Sequence, residues 1–191
     1  RDPEMSRGLG DVYKRQKINY LLEMRASGRD KVQDYADKFG CEFHAGEKPW
    51  GLGADKVDIM MPCATQNDVN MDSAKKIAAS GIKYYIEVAN MPTTNDALEF
   101  LKEQKHMVIA PSKAVNACGV AVSALEMAQN AERLYWTAEE VDAKMHQIMA
   151  NIYHSSVAAA ERYGLGYDLV AGANIAGFQR VADAMMAQGI F

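Results

Sequence analysis

Three short stretches of the 191-residue chain concentrate side chains that could hold a small polar ligand. They are Pro62-Cys63-Ala64-Thr65-Gln66-Asn67, Ala89-Asn90-Met91-Pro92-Thr93-Thr94, and the run from Pro111 to Val120 that contains Ser112, Lys113, Asn116 and Gly119. Each follows a short apolar run, and each carries amide side chains or hydroxyls. Amides donate and accept at once, which is what a carboxamide and ribose hydroxyls require. A small residue such as Ala64 lets a ligand approach the backbone. The chemistry these groups suit is the holding of a nicotinamide. Taken singly, an Asn or Thr after a strand is usually a turn former or a helix cap. The signal is that three such turns share one place in the pattern.

That place follows from the elements around them. Residues 57–61 and 84–88, and Met107-Val108-Ile109, read as strands closed by Pro62, Ala89-Asn90 and Pro111. Residues 41–45 read as a further short strand. Ile18, Leu21, Leu22 and Met24 form a helical stripe ended by Ser27-Gly28, and Val32, Tyr35, Ala36 and Phe39 another, ended by Gly40. Ala74, Ile77 and Ala78 lie on a helix ending at Ser80-Gly81. Thr93 with Asp96 can cap the helix carrying Ala97, Leu98 and Leu101. Alternating strands and helices of about ten residues predict βαβ units and a parallel sheet with helices on both faces. Ligands of such sheets bind at the carboxyl ends of the strands, where the three polar segments fall.

After Pro111 the pattern is helical: residues 114–131, then a long helix opened by the capping box of Thr137 and Glu140 and striped by Val141, Met145, Ile148 and Ile152, then residues 175–187 with Gly189 beyond the end. Asp168, near Gly164 and Gly166, reads as part of a turn. The fold class expected is α/β: a truncated, Rossmann-like, doubly wound parallel sheet followed by C-terminal helices. Residues 1–16, rich in Arg, Gly and Asp without apolar period, read as a disordered or non-native tail, and residues 17–191 as a partial dinucleotide-binding domain.

Bulk composition removes other classes. Apolar residues make up 49% and charged residues 24%, with a formal net charge of -4 and no basic run, so neither nucleic acid nor an anionic membrane is an expected partner. Apolar runs are far shorter than the roughly 20 residues a membrane helix needs. Cys41, Cys63 and Cys118 are widely spaced without a Cys-x-x-Cys pair, which argues against zinc and for reduced thiols in a cytoplasmic protein. His44, His106, His146 and His154 show no pairing pattern, so no metal is expected.

The strings PCATQND, EVANMPTT and APSKAVNACGVAVSALEMAQN, followed by RLYWTAEEVD and ERYGLGYDLVAGANIAGF, closely resemble glutamate dehydrogenases of the hexameric class. The resemblance extends from about Lys17 to Phe191. It implies a two-domain enzyme that uses NAD or NADP to interconvert glutamate with 2-oxoglutarate and ammonia, assembled as a homo-hexamer. It also implies that this chain is the C-terminal, coenzyme-binding part. Carried over residue by residue, Ala64, Thr65 and Gln66 lie beside the nicotinamide ribose, Asn90 and Asn116 reach the nicotinamide end of the cofactor, and Val120 and Ser123 hold the substrate side chain and its distal carboxylate. Asn116, Val120 and Ser123, at i, i+4 and i+7, share a helical face. Without the resemblance, Ser123 reads as a solvated or back-bonded helical serine.

The family's catalytic lysines and proton-moving acid belong to its N-terminal domain. No catalytic residue is therefore expected within this chain, and the chain alone is expected to be inactive. Lys113 reads as a structural or coenzyme-proximal cation. Cys118 stands where the family has the first of two glycines, and Ala124 where it has a further one. Gly51-Leu52-Gly53 lacks the third glycine of a phosphate loop. Two alternatives stay open: a non-catalytic nucleotide-binding or oligomerisation module of the same fold, and a sibling amino-acid dehydrogenase for apolar substrates.

Overall fold

The computed structural model describes residues 15–28, 32–52 and 57–189. It opens with two helices, α1 (Arg15–Ala26) and α2 (Val32–Phe39). Arg15 and Gln16, expected within the tail, lie in α1; the rest of that stretch falls outside the described residues. The Phe39 ring packs against Tyr35 at 4.7 Å and edge-on against Tyr20 at 5.5 Å between centroids, joining the two helices.

Residues 41–44 are irregular, not the strand expected. A strand needs a ladder partner for its backbone groups, and none of the described strands pairs with this segment. The chain instead turns at Ala45-Gly46 and runs into a short 3-10 turn, Pro49–Gly51, which buries Trp50 in the core.

Five elements then alternate: β1 (Ile59–Met60), α3 (Met71–Ala79), β2 (Tyr84–Ile86), α4 (Asn95–Lys102) and β3 (Val108–Ala110). The strands are parallel in the order β1-β2-β3. Their register sets Met60, Tyr85 and Ile109 in one row and Ile59, Tyr84 and Val108 in the next. Successive side chains point to opposite faces, so the rows divide the sheet. The first row is buried and meets Ala74 and Ile77 of α3 and Ala97 and Leu101 of α4 in the main core cluster. In the second, Ile59 and Tyr84 remain half exposed, as does Met61 beyond the strand end.

Thr93 does not cap α4. The N-cap is Thr94, and Thr93 turns inward, where its hydroxyl meets the Tyr85 hydroxyl at 2.8 Å with both residues buried. Burial pushes the Tyr85 phenol well above the usual tyrosine range. The folded chain therefore holds it neutral where the unfolded chain ionises, and this stabilisation is lost as pH rises past about 10. Thr93→Val keeps the shape but strands the phenol, so we expect a loss of about 1–3 kcal/mol in urea denaturation at neutral pH. An unchanged midpoint would show that the pair contributes nothing.

The helical remainder comprises α5 (Ser112–Val115), α6 (Ala117–Glu132), α7 (Ala138–Arg162) and α8 (Leu169–Gln188). The helix expected over residues 114–131 is two helices divided at Asn116, whose side chain bonds outside its own helix. The capping box at α7 forms: Thr137 Oγ1 accepts from the Glu140 amide at 3.2 Å, and Glu140 Oε2 accepts from the Thr137 amide at 2.7 Å. Helix α8 begins six residues before the expected start at Ile175, because Asp168 is its N-cap and accepts from the Ala171 amide at 2.9 Å. α8 packs along α7 and beside β3, and Val170 joins the main core. No helix among the described residues is long and apolar enough to cross a membrane.

Candidate functional site

The three strand-end segments are cross-linked, with the middle one as the hub. From the first side, Val88 and Ala89 donate their amides to the Pro62 carbonyl at 3.1 and 2.9 Å, and Asn67 donates to Met91 O at 3.0 Å. Val69 donates to Pro92 O at 2.9 Å and receives the Thr94 amide at 3.0 Å, a parallel bridge that prolongs the sheet past its strands. Asn67 and Met91 take left-handed conformations, φ 56° and 46°, as the loops reverse beside each other. Such a conformation is uncommon outside glycine, and here the shared hydrogen bond holds both residues in it.

From the other side, the Glu87 amide donates to Ala110 O at 3.0 Å, and its buried carboxylate accepts from the Ser112 amide at 3.2 Å. The Asn116 side-chain nitrogen donates to Val88 O at 3.2 Å and to Asn90 Oδ1 at 2.7 Å. Glu87 thus ties the start of α5 to the end of β2. Sequence reading did not single it out; the one signal was a carboxylate closing the apolar strand Tyr84-Tyr85-Ile86.

A crevice of about 620 Å³ lies along this edge. The structure brings Ala64, Gln66, Asn90, Asn116 and Val120 to its walls, with Val88, Ala89 and Gly119 completing them. A Cβ at Gly119 would meet no atom of this chain within 4 Å, so the missing side chain widens the crevice rather than relieving a clash. Val120 is among the most exposed large apolar residues, at 77%. Two expected site residues are not on the walls. Thr65 is exposed beside Ala64 and Gln66, and Ser123 donates its hydroxyl back to Gly119 O at 3.3 Å. Cys118 is half-buried and likewise off the walls.

Lys113 is directed elsewhere: its ammonium donates to Asn174 Oδ1 on α8, at a separate cleft of about 740 Å³ between α7 and α8 that Arg162 and Arg180 also line. His44 lies 3.4 Å from Glu42 and His146 3.6 Å from Asp142. No group of three or more His, Cys, Asp or Glu among the described residues is placed to hold a metal.

The crevice can present amide donors and acceptors, bare backbone and one apolar wall to a flat polar ligand. It offers no acid or base positioned for proton transfer, since none of its wall residues titrates near neutral pH.

Comparison with known proteins bears on the same reading. Residues 5–189 match the family model described as Glutamate/Leucine/Phenylalanine/Valine dehydrogenase. The NAD-specific glutamate dehydrogenase of Clostridium symbiosum is 73% identical over 175 residues, which are 92% of this chain and 38% of that protein. The NADP-specific glutamate dehydrogenase of Escherichia coli strain K12 is 50% identical over 180 residues, 93% of this chain and 39% of that one. Among solved structures, a glutamate dehydrogenase superposes with a TM-score of 0.87 at 72% identity, over 93% of this chain and 39% of that chain. Glutamate dehydrogenase 2 of Plasmodium falciparum superposes with a TM-score of 0.85 at 40% identity, over 94% of this chain and 39% of that chain. The chain thus spans somewhat under two fifths of the length of these relatives.

Proposed function

This chain belongs to the Glutamate/Leucine/Phenylalanine/Valine dehydrogenase family, and from that premise we propose that it is the C-terminal, coenzyme-binding part of an NAD- or NADP-dependent glutamate dehydrogenase. The reaction is the oxidative deamination of L-glutamate to 2-oxoglutarate and ammonia, and its reverse. The observation that carries the proposal is the crevice in which Ala64, Gln66, Asn90, Asn116 and Val120 converge from three strand ends. When bound, the dinucleotide supplies the hydride acceptor. The work of this chain's residues is to bind and orient.

Within that reading, Ala64, Thr65 and Gln66 flank the nicotinamide ribose, and Asn90 and Asn116 the nicotinamide itself. Val120 faces the substrate side chain, and Ser123 would reach its distal carboxylate by turning its hydroxyl away from Gly119 O. Small Ala64 and bare Gly119 fit a flat ring lying close to the backbone, and the amides fit its polar substituent. Proton transfer and carbonyl polarisation fall to residues outside this chain. Assembly as a homo-hexamer and a cytoplasmic site of action complete the proposal, supported by the resemblance of the sequence to the hexameric class.

A sibling dehydrogenase for apolar substrates is the second reading. It is favoured by the Ser123 hydroxyl, which is spent on Gly119 O instead of facing the crevice.

The test is a chimera in which residues 17–191 replace the corresponding part of the Clostridium symbiosum relative. We expect glutamate-dependent reduction of NAD or NADP by the chimera and none by the 191-residue chain alone. A folded, assembled chimera inactive with glutamate on both coenzymes would overturn the proposal, and faster turnover of leucine or valine would select the sibling. Turnover by the chain alone would show that its own residues complete the chemistry.

A further inference from the structure

A small pocket of about 100 Å³ lies where α5 meets the end of β3, the middle of α7 and the start of α8. Val115 from α5, Met149 and Ile152 from α7 and Leu169 from α8 supply its apolar lining, with Ala110 and Pro111 beside them. It shares no lining residue with the strand-end crevice.

The polar groups at this pocket are occupied. The Ser156 hydroxyl donates to Ile152 O at 2.8 Å, and the Tyr153 and Tyr167 hydroxyls bond each other at 2.8 Å. Ala110 O accepts from the Glu87 amide at 3.0 Å, and Pro111 O accepts from the Ala114 and Val115 amides, each at 3.0 Å. An ordered water or a polar guest needs about two to four partners, and here the partners are already spent within the protein.

We infer that this pocket is a binding site for one small aromatic hydrocarbon ring, separate from the proposed nicotinamide site. Apolar cavities of roughly 150 Å³ lined by aliphatic side chains stay dry and take up benzene or xenon. The pocket at α5 is of that order and has that kind of lining. A guest there leaves water for contact with half-buried Val115, Met149 and Ile152 and with buried Leu169. The polarizable thioether of Met149 favours an aromatic ring over an aliphatic one. Val115 lines the pocket and Asn116, the next residue, lines the crevice, so a guest bears on the helix that leads into the crevice wall.

The experiment titrates benzene, and separately xenon, into the full 191-residue chain carrying 13C-labelled methyl groups. We expect saturable shifts at the methyls of Val115, Met149, Ile152 and Leu169, and none at Ile77 or Leu101 in the main core. The dissociation constant for benzene should be on the order of 1 mM, as burial of about six carbons supports. Val115→Phe puts a ring of the protein's own into the space and should weaken benzene binding by about tenfold or more. Val115→Ala enlarges the space, and should keep benzene and bind p-xylene more tightly than the parent does. A purely structural role for Val115 would move both variants in the same direction.

No saturable shift with either probe overturns the inference. So do shifts spread evenly over the main core, which mark unspecific partition, and undiminished benzene binding by a folded Val115→Phe. Should Val115→Phe fail to fold, Val115→Ala decides alone, and p-xylene binding no tighter than in the parent overturns the inference. The nicotinamide reading of the crevice stands or falls separately from each of these results.

Discussion

Gly172→Ala is expected to part α7 from α8 and to lower the stability of the chain more than any other single methyl addition at its described glycines. A Cβ at residue 172 would stand 2.0 Å from the Ser156 carbonyl oxygen, 2.9 Å from its carbon and 3.2 Å from the Ala160 Cβ. The obstructing atoms are mainly backbone, so no rotamer change relieves them. Ser156, Ala159 and Ala160 on α7 and Gly172 on α8 are all buried, a crossing made of small residues that lets the helix backbones approach closely. The helices must move apart by more than an ångström, and the overpacking costs about 3 kcal/mol or more. For a chain of this length that corresponds to a fall of roughly 10 °C in Tm, read by circular dichroism. A midpoint within about 2 °C of the parent would refute the close crossing. The damage would also reach the crevice. α8 carries Asn174, the acceptor for Lys113 on α5, and α7 supports both α5 and α6, which supply Asn116 and Val120.

Leu101→Ala should produce the next largest loss. Leu101 is fully buried at the end of α4 among Ile77, Ile82, Tyr85 and Ala97 in the layer that supports the sheet. Truncation removes the transfer free energy of three carbons and leaves a cavity under β2 and β3, at an expected cost of about 2–5 kcal/mol. Urea denaturation should show a lower midpoint with the slope unchanged, since the folded surface stays the same. Leu98, one turn earlier, is only partly buried, so its truncation should cost less. Equal losses at the two positions, or a loss at Leu101 below about 1 kcal/mol, would contradict the burial pattern.

Much of this arrangement was legible in the sequence because the local signals agreed with the tertiary ones. The apolar runs around Ile59, Tyr85 and Ile109 are strands within a residue or two of their expected bounds, and the Thr137–Glu140 box opens α7 as read. Failures came where long-range contacts decide. Residues 41–45 have strand-like composition but no described strand beside them. Gly172 falls before the expected helix start at Ile175, yet it lies inside α8, where the neighbouring backbone requires its lack of a side chain. The break at Asn116 has no local cause that periodicity could reveal; it follows from an amide spent on residues 26 and 28 positions away. At the candidate site, proximity in sequence to the strand ends brought Ala64, Gln66, Asn90, Asn116 and Val120 to one crevice. Ser123 takes the back-bonded form that its helical position alone suggests.

The bridge between Val69 and Thr93 has a mechanical consequence. Two sides of the crevice are stitched to each other by backbone hydrogen bonds, so they travel as one jaw. The opposing wall, α6, joins α5 through Asn116 (φ -91°, ψ 4°) and packs against α7. At that junction the Asn116 side chain, bonded to Val88 O and Asn90 Oδ1, fastens the second wall to the first.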